Sequence, residues 1–193
     1  MKILIATSNT GKIAEIKSLL SVLDIEIVIP SDVGLSMDVE ETGTTYLENA
    51  LLKANAYSLE SNLPTLADDT GLEVAALNGI PGIHSARFIN DPQATDKDRR
   101  TLLLSRLQPH AHPWNARFVC AAVFLRPGEA AVHALGECQG EIIPQERGEY
   151  GFGYDAIFLV GGTHKTMAEL NMEEKNTISH RAKAVKALFP FIR

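Results

Sequence analysis

The densest grouping of reactive side chains is Asp68-Asp69-Thr70-Gly71, which follows the apolar run over residues 64–67. Two carboxylates at the end of a buried strand repel each other and lose hydration, so their company implies a cation to hold or a proton to move. If the chain stays extended through them, successive side chains face opposite sides and only one looks into a given pocket. Asp69, nearer the loop, is the one expected to do so. Asp-Thr-Gly is also good turn chemistry, and a solvated turn would carry the same residues. An aspartyl-phosphate phosphatase needs its two carboxylates two residues apart on one side, and here they are adjacent.

Three further groupings could serve the same chemistry. Thr7-Ser8-Asn9-Thr10-Gly11-Lys12 sits between an apolar strand and a helix, where backbone N–H groups, the positive helix end and a lysine suit phosphates. It is not a Walker A loop, because Ala6 stands where the first glycine belongs and Ile13 follows Gly11-Lys12; a polar cap on a strand-to-helix turn is the plainer alternative. Glu40 and Glu41 precede a helix that carries Glu48 and Lys53. They offer carboxylates to Mg2+, which takes few protein ligands, although an acidic solvated loop has the same composition. Gly151-Phe152-Gly153-Tyr154-Asp155, with Lys175 and Ser179-His180-Arg181, joins a glycine-framed aromatic to cations and a carboxylate. Such a set can stack on a base and read its edge, whereas taken singly Phe152 suits a core, Ser179 a helix cap and Arg181 a surface. His110 and His112 beside Trp114 have no third ligand nearby and are assigned to a polar loop.

The elements that must position these groups follow from periodicity. Strands are predicted over residues 2–6, 25–29, 64–67, 72–77, 116–125, 131–140 and 156–160, the fifth and sixth joined by a hairpin turn at Arg126-Pro127-Gly128-Glu129. Helices are predicted where Ile13, Ile16, Leu20 and Leu23 recur, from the Thr45/Glu48 capping box to Ser61, from Thr95 to near Pro109, and after Ser179. The alternation gives an α/β fold with a mixed sheet. A chain of 193 residues, 45% apolar and 22% charged, suits one domain, bilobed at most. A net charge of −6 without a basic stripe argues against a nucleic acid polymer as partner. No apolar run reaches bilayer length and residues 1–6 turn polar too soon for a signal peptide, so no membrane partner and a cytoplasmic location are expected. Cys120 and Cys138 have neither zinc nor redox spacing; a hairpin around Pro127-Gly128 would bring them near, but buried free thiols are expected.

Taken in order, the residue 7–12 loop, Glu41-Thr42-Gly43 with Glu48-Asn49-Ala50, Ala67-Asp68-Asp69-Thr70-Gly71-Leu72, Pro81-Gly82 with Ser85-Ala86-Arg87, Gly151-Phe152-Gly153-Tyr154-Asp155 and Ser179-His180-Arg181 form a series. Nearly end to end, the chain resembles the Ham1/RdgB family of inosine triphosphate pyrophosphatases. The resemblance implies a long central mixed β-sheet with two α/β lobes and an active site in the cleft between them. It implies Mg2+-dependent hydrolysis of ITP, dITP and XTP to the monophosphate and pyrophosphate, by a homodimer. Carried over by position, Asp69 is the catalytic base and a metal ligand, assisted at Mg2+ by Glu40 or Glu41, with Glu40 taken as the ligand. Thr7, Ser8, Asn9, Thr10, Gly11 and Lys12 hold the phosphates, with Lys53 and Thr70 as further contacts; Thr70 stands where serine is frequent and keeps its hydroxyl. Phe152, with Gly153 and Tyr154, meets the base, and Asp155, Lys175, His180 and Arg181 read a purine with a keto oxygen at position 6. Two rivals are a nucleotide-binding regulator without hydrolysis and a pyrophosphatase of the Maf type acting on other nucleotides.

Overall fold

In the computed structural model, which describes residues 1–192, the run Lys2–Ile5 forms strand β1 and the polar loop after it feeds helix α1 (Thr10–Leu20). There follow β2 (Glu26–Val28), α2 (Tyr46–Ser61), β3 (Thr65–Val74), β4 (Pro81–Gly82), α3 (Asp96–Leu107), β5 (Trp114–Leu125), β6 (Val132–Ile142), β7 (Phe158–Val160), α4 (Met172–Ile178), α5 (His180–Ala187) and α6 (Phe189–Ile192). The seven strands share one mixed sheet in the order β2-β1-β3-β5-β6-β7, with β4 paired to β3. β1 runs parallel to both β2 and β3, while β3 with β4 and β6 with β7 are antiparallel.

Helix starts are set by the side chains that cap them. Asn9 accepts from the Lys12 N–H, Thr45 and Glu48 close a capping box on α2, Thr95 and Asp98 do the same on α3, and Ser179 accepts from the Ala182 N–H on α5. Each cap fixes where the neighbouring loop enters its helix, and two of those loops carry candidate site residues.

One sequence expectation is corrected here. The strand does not stop at Asp68-Asp69: β3 is a single ten-residue strand that passes straight through Asp68, Asp69, Thr70 and Gly71. Turn propensity loses because the carboxylates have partners and because β3 is paired near both ends, at Leu4↔Thr65 and at Leu72↔Gly82. The two aspartates therefore face opposite sides of the sheet.

The chain divides into two compact units, the first of Met1–Thr70, Cys120–Gly136 and the segment from Ser179 onward, the second of Gly71–Val119 and Glu137–Ile178. The first unit buries Ile3, Ile5, Ile16, Leu20, Leu66 and Leu188 in its core; the second buries Leu72, Leu103, Leu107, Phe158 and Met167 in its own. Each such side chain contributes about 1.5–3 kcal/mol relative to exposure. In the first unit Gly136 is obligatory for close approach, since a Cβ there would lie 2.1 Å from the His180 carbonyl oxygen. That contact seats the start of α5, and with it Arg181, against β6. Cys120 and Cys138 are buried free thiols, and burial pushes the Cys120 thiol up to about 12, with Asp68 adding to the shift. No helix among the described residues is long and apolar enough to cross a membrane.

Candidate active site

In the first unit, one face of β3 presents Asp68 to two cations. Its Oδ2 lies 3.1 Å from Lys12 Nζ and 3.1 Å from Arg181 Nε, and accepts from the Thr70 hydroxyl at 2.9 Å. Arg181 also donates to Glu15 on α1 and reaches the Thr70 hydroxyl at 3.3 Å. Asp68, Glu15 and Arg181 are all buried, so two carboxylates balance the two cations Lys12 and Arg181. Burial alone would push the Asp68 carboxyl upward; Lys12, Arg181 and Lys53 overcome it and hold Asp68 well below the usual carboxylate range. Asp68 stays ionised and acts as an anchor for Lys12, whose Nζ also donates to the Asp68 carbonyl at 3.3 Å.

The opposite face presents Asp69 to α2. Asn49 Nδ2 donates to Asp69 Oδ2 at 3.1 Å, and the Asn49 amide is held in that orientation because its Oδ1 accepts the Gly43 N–H at 2.8 Å. A side chain at position 43 would put a Cβ 2.6 Å from that oxygen, so the loop before α2 needs glycine to lie so close. Lys53 Nζ sits 2.6 Å from Glu41 and 3.6 Å from Asp69 Oδ1. For Asp69, burial is the largest influence and raises its pKa; Lys53 and Lys12 oppose it and Glu41 reinforces it, leaving the carboxyl raised. Adjacent carboxyls displaced in opposite directions are the signature of divided acid–base roles.

The residue 7–12 loop ends at the α1 cap, where Asn9 Oδ1 takes the Lys12 N–H at 3.0 Å and Thr7 Oγ1 accepts the Asn9 N–H at 3.2 Å. Ser8, Asn9 and Thr10 are exposed and Gly11 half-buried. The opening N–H groups of an α-helix have no intrahelical acceptor, and here the cap serves that of Lys12.

In the second unit, Phe152, Gly153, Asp155 and Lys175 come together. Asp155 Oδ2 accepts the Phe152 N–H at 3.0 Å and pairs with Lys175 Nζ at 2.6 Å, and the same ammonium lies 5.4 Å from the Phe152 ring centroid. The ring is half-buried.

Three expected residues are placed differently. Tyr154 is buried, with its hydroxyl donating to the Ser85 carbonyl at 2.9 Å, so it supports the loop from the core and does not present its ring to a ligand. Arg181 is buried in the Asp68–Glu15 cluster of the first unit, where two carboxylates compensate its desolvation. Glu40 is exposed, and it is Glu41 that Lys53 links to Asp69; along an extended loop neighbours point apart. His180 is buried at the first turn of α5.

Sequence reasoning missed Glu15, and it gave Asn49 no role beyond its place in Glu48-Asn49-Ala50. Glu15 had a signal, since it lies four residues before Leu19 in the buried stripe of α1, where a charge demands a partner. Asn49 is fully buried one turn into α2, among positions otherwise taken by Tyr46 and Ala50.

The Ham1 family model matches residues 3–191. A dITP/XTP pyrophosphatase of Aquifex aeolicus (strain VF5) is 45% identical, the match covering 97% of this chain and 95% of that protein. One of Bacillus subtilis (strain 168) is 42% identical over 96% of this chain and 93% of its own length. Among solved structures, a HAM1 protein from Coxiella burnetii superposes with a TM-score of 0.88 at 38% identity, covering 100% of this chain and 98% of that one. The Staphylococcus aureus Ham1 protein gives 0.86 at 41% identity, with the same coverage of 100% and 98%.

Proposed function

The chain belongs to the Ham1 family, and on that premise we propose that it is a nucleoside-triphosphate diphosphatase that hydrolyses ITP, dITP and XTP to the monophosphate and pyrophosphate, clearing deaminated purines from the nucleotide pool. The observation that carries the reading is the Asp69 carboxyl, buried, oriented by Asn49, flanked by Lys53 and raised in pKa beside an Asp68 that stays ionised. A carboxylate with a raised pKa takes a proton from water more readily than an ordinary one.

Asp69 accepts that proton as the water oxygen bonds to the α-phosphorus. The α-phosphorus–oxygen bond to the β-phosphate breaks and pyrophosphate leaves. Lys12, anchored by Asp68, and the N-terminus of α1 hold phosphate oxygens, so the chain's own contribution is largely positioning and charge. Phe152 stacks on the base, while Lys175 and Asp155 favour a keto oxygen at position 6. Adenine presents an amino group there, which leaves buried donors unpaired and is rejected. The same reading includes a homodimer in the cytoplasm that acts on free nucleotides, not on a polymer or a membrane.

A divalent metal fits these residues. Asp69 and Glu41 are hard oxygen donors sharing one ammonium, and no group of three or more His, Cys, Asp or Glu converges among the described residues to hold an ion. Two carboxylates with the rest of the shell from water and phosphate suits Mg2+, which we place on Asp69 and Glu41, with Glu40 next to them on the loop. When bound, the ion supplies positive charge to the phosphate oxygens and makes water more acidic. Because burial above all raises Asp69, a proton competes with the ion at this carboxylate. With a non-hydrolysable ITP analogue present, Mg2+ affinity should fall as pH drops through that raised value, and binding should release protons. Calorimetry in buffers of differing ionisation enthalpy reads both; an affinity that does not change on the acid side would remove Asp69 from the ligand set.

The activity itself is tested by product analysis with ITP and Mg2+. IMP and pyrophosphate are expected; IDP and phosphate would overturn attack at the α-phosphorus. Binding of ITP with no product would favour a regulator, and preferred turnover of dTTP or UTP would favour the Maf-type reading.

A further inference from the structure

The loop that carries Phe152 has one side-chain bond of its own, from the Phe152 N–H to Asp155, and a core anchor at Tyr154. Gly151 and Gly153 have φ of 79° and 61°, so both flanks of the ring use backbone conformations that glycine enters and leaves easily. A further hold, on Gly153 itself, comes from α3, also in the second unit. The Gly153 N–H donates to Asp96 Oδ2 at 2.7 Å, and the Gly153 carbonyl accepts from an Arg100 terminal nitrogen at 2.8 Å. Asp96 and Arg100 lie four residues apart and so share one helix face. They grip the same residue by its donor and by its acceptor. Arg100 is in turn held by Glu146, whose two oxygens receive its Nε at 2.9 Å and its other terminal nitrogen at 3.0 Å.

None of these bonds is needed to make α3. That helix has its own capping box at Thr95 and Asp98, and Leu103 and Leu107 bury its other face. An arginine on its outer surface would ordinarily be solvated; here its side chain is only 14% exposed and spends its donors on a glycine carbonyl and a carboxylate. The geometry points to a clamp: we propose that Asp96 and Arg100, with Glu146 behind Arg100, are positioning residues that set the Phe152 ring for the purine and so determine base affinity. This rests on the reading that Phe152 stacks on the base. None of the three touches the nucleotide in this account; they act through Gly153.

The test compares ITP with ribose 5′-triphosphate, which keeps the phosphates and lacks the base. Asp96→Ala and Arg100→Leu should each raise KM for ITP about tenfold, the size expected from losing a charge-assisted backbone hydrogen bond. The kcat for ITP, and kcat/KM for ribose 5′-triphosphate, should stay within about twofold. Asp96→Asn retains an acceptor for the Gly153 N–H and should recover most of the loss, and Glu146→Gln should show a milder form of the Arg100→Leu effect. Equal losses on both substrates, or a fall in kcat alone, would overturn the clamp. Should Asp96→Ala fail to fold, Arg100→Leu and Glu146→Gln decide, since both alter the carbonyl side only. Phe152→Ala separates the two ideas. If it leaves the ratio of ITP to ribose 5′-triphosphate unchanged, the stacking reading fails and the clamp's purpose with it. If it collapses the ratio while the α3 variants do not, the clamp alone is wrong.

Discussion

Asp69→Asn is expected to lower kcat for ITP by about three orders of magnitude or more, the combined loss of a general base and a metal-binding carboxylate, while the protein stays folded. The isosteric amide can keep its oxygen on Asn49 Nδ2, but it no longer accepts a proton and no longer offsets Lys53. The stability half of the prediction follows from the sign of the pKa displacement. A carboxyl raised by burial is ionised less readily in the folded chain than in the unfolded one, so at neutral pH its charge opposes folding. Removing that charge should therefore leave the denaturation midpoint unchanged or slightly higher. Asp68→Asn should behave in the opposite way. Its depressed pKa means that its charge supports the fold above the unfolded value and that this support is lost as pH falls through the folded value. Pyrophosphate release and urea denaturation on the two variants side by side would decide; a near-normal rate for Asp69→Asn moves the base elsewhere.

That contrast marks the boundary of what the sequence made legible. Caps were readable because their chemistry is local: Thr45 with Glu48, Thr95 and Ser179 start the helices they were expected to start. Local rules misled at Asp68-Asp69-Thr70-Gly71, where turn propensity is real but is overruled by strand pairing on either side and by cations brought to Asp68 from elsewhere in the chain. Helix α4 was overlooked although Asn171 and Glu174 cap each other's N–H groups at its start, a short-range signal of the same type as the others. Glu41 and Glu40 could not be told apart, because which of two neighbours turns inward depends on Lys53, twelve residues on from Glu41 in another element. Asp96 and Arg100 carried no motif at all; their meaning lies in Gly153, which sequence places 57 residues from Asp96. Residues whose task is set by contacts across the fold are invisible to spacing, and most of the supporting side chains here are of that kind.

Arg181 gives the sharpest case, and its replacement is expected to cost the most stability. The sequence placed it at the base edge, and the fold buries it between Asp68 and Glu15. Arg181→Leu would remove the guanidinium that both carboxylates share, and breaking a buried ion pair in this way destabilises by about 3–5 kcal/mol. Arg181→Lys should recover little, because one ammonium cannot serve Asp68, Glu15 and the Thr70 hydroxyl as a planar fork does. A second change should recover more: Glu15→Leu in the Arg181→Leu background removes one of the two buried carboxylates that Arg181 balanced and restores part of the loss, a non-additivity that a double-mutant cycle reads directly. The pH dependence should also flatten. Without the guanidinium, Asp68 loses one of the cations that lower it and shifts upward, so the single variant should lose less stability in acid than the unaltered chain, whose Asp68 contribution is lost as pH falls from the unfolded value through the folded one. Urea denaturation of the three variants across pH would test this. A loss under about 1 kcal/mol together with a raised KM for ITP would return Arg181 to the base; a large loss, eased by Glu15→Leu and by acid, makes it the counter-charge that lets Asp68 stay ionised within a buried strand.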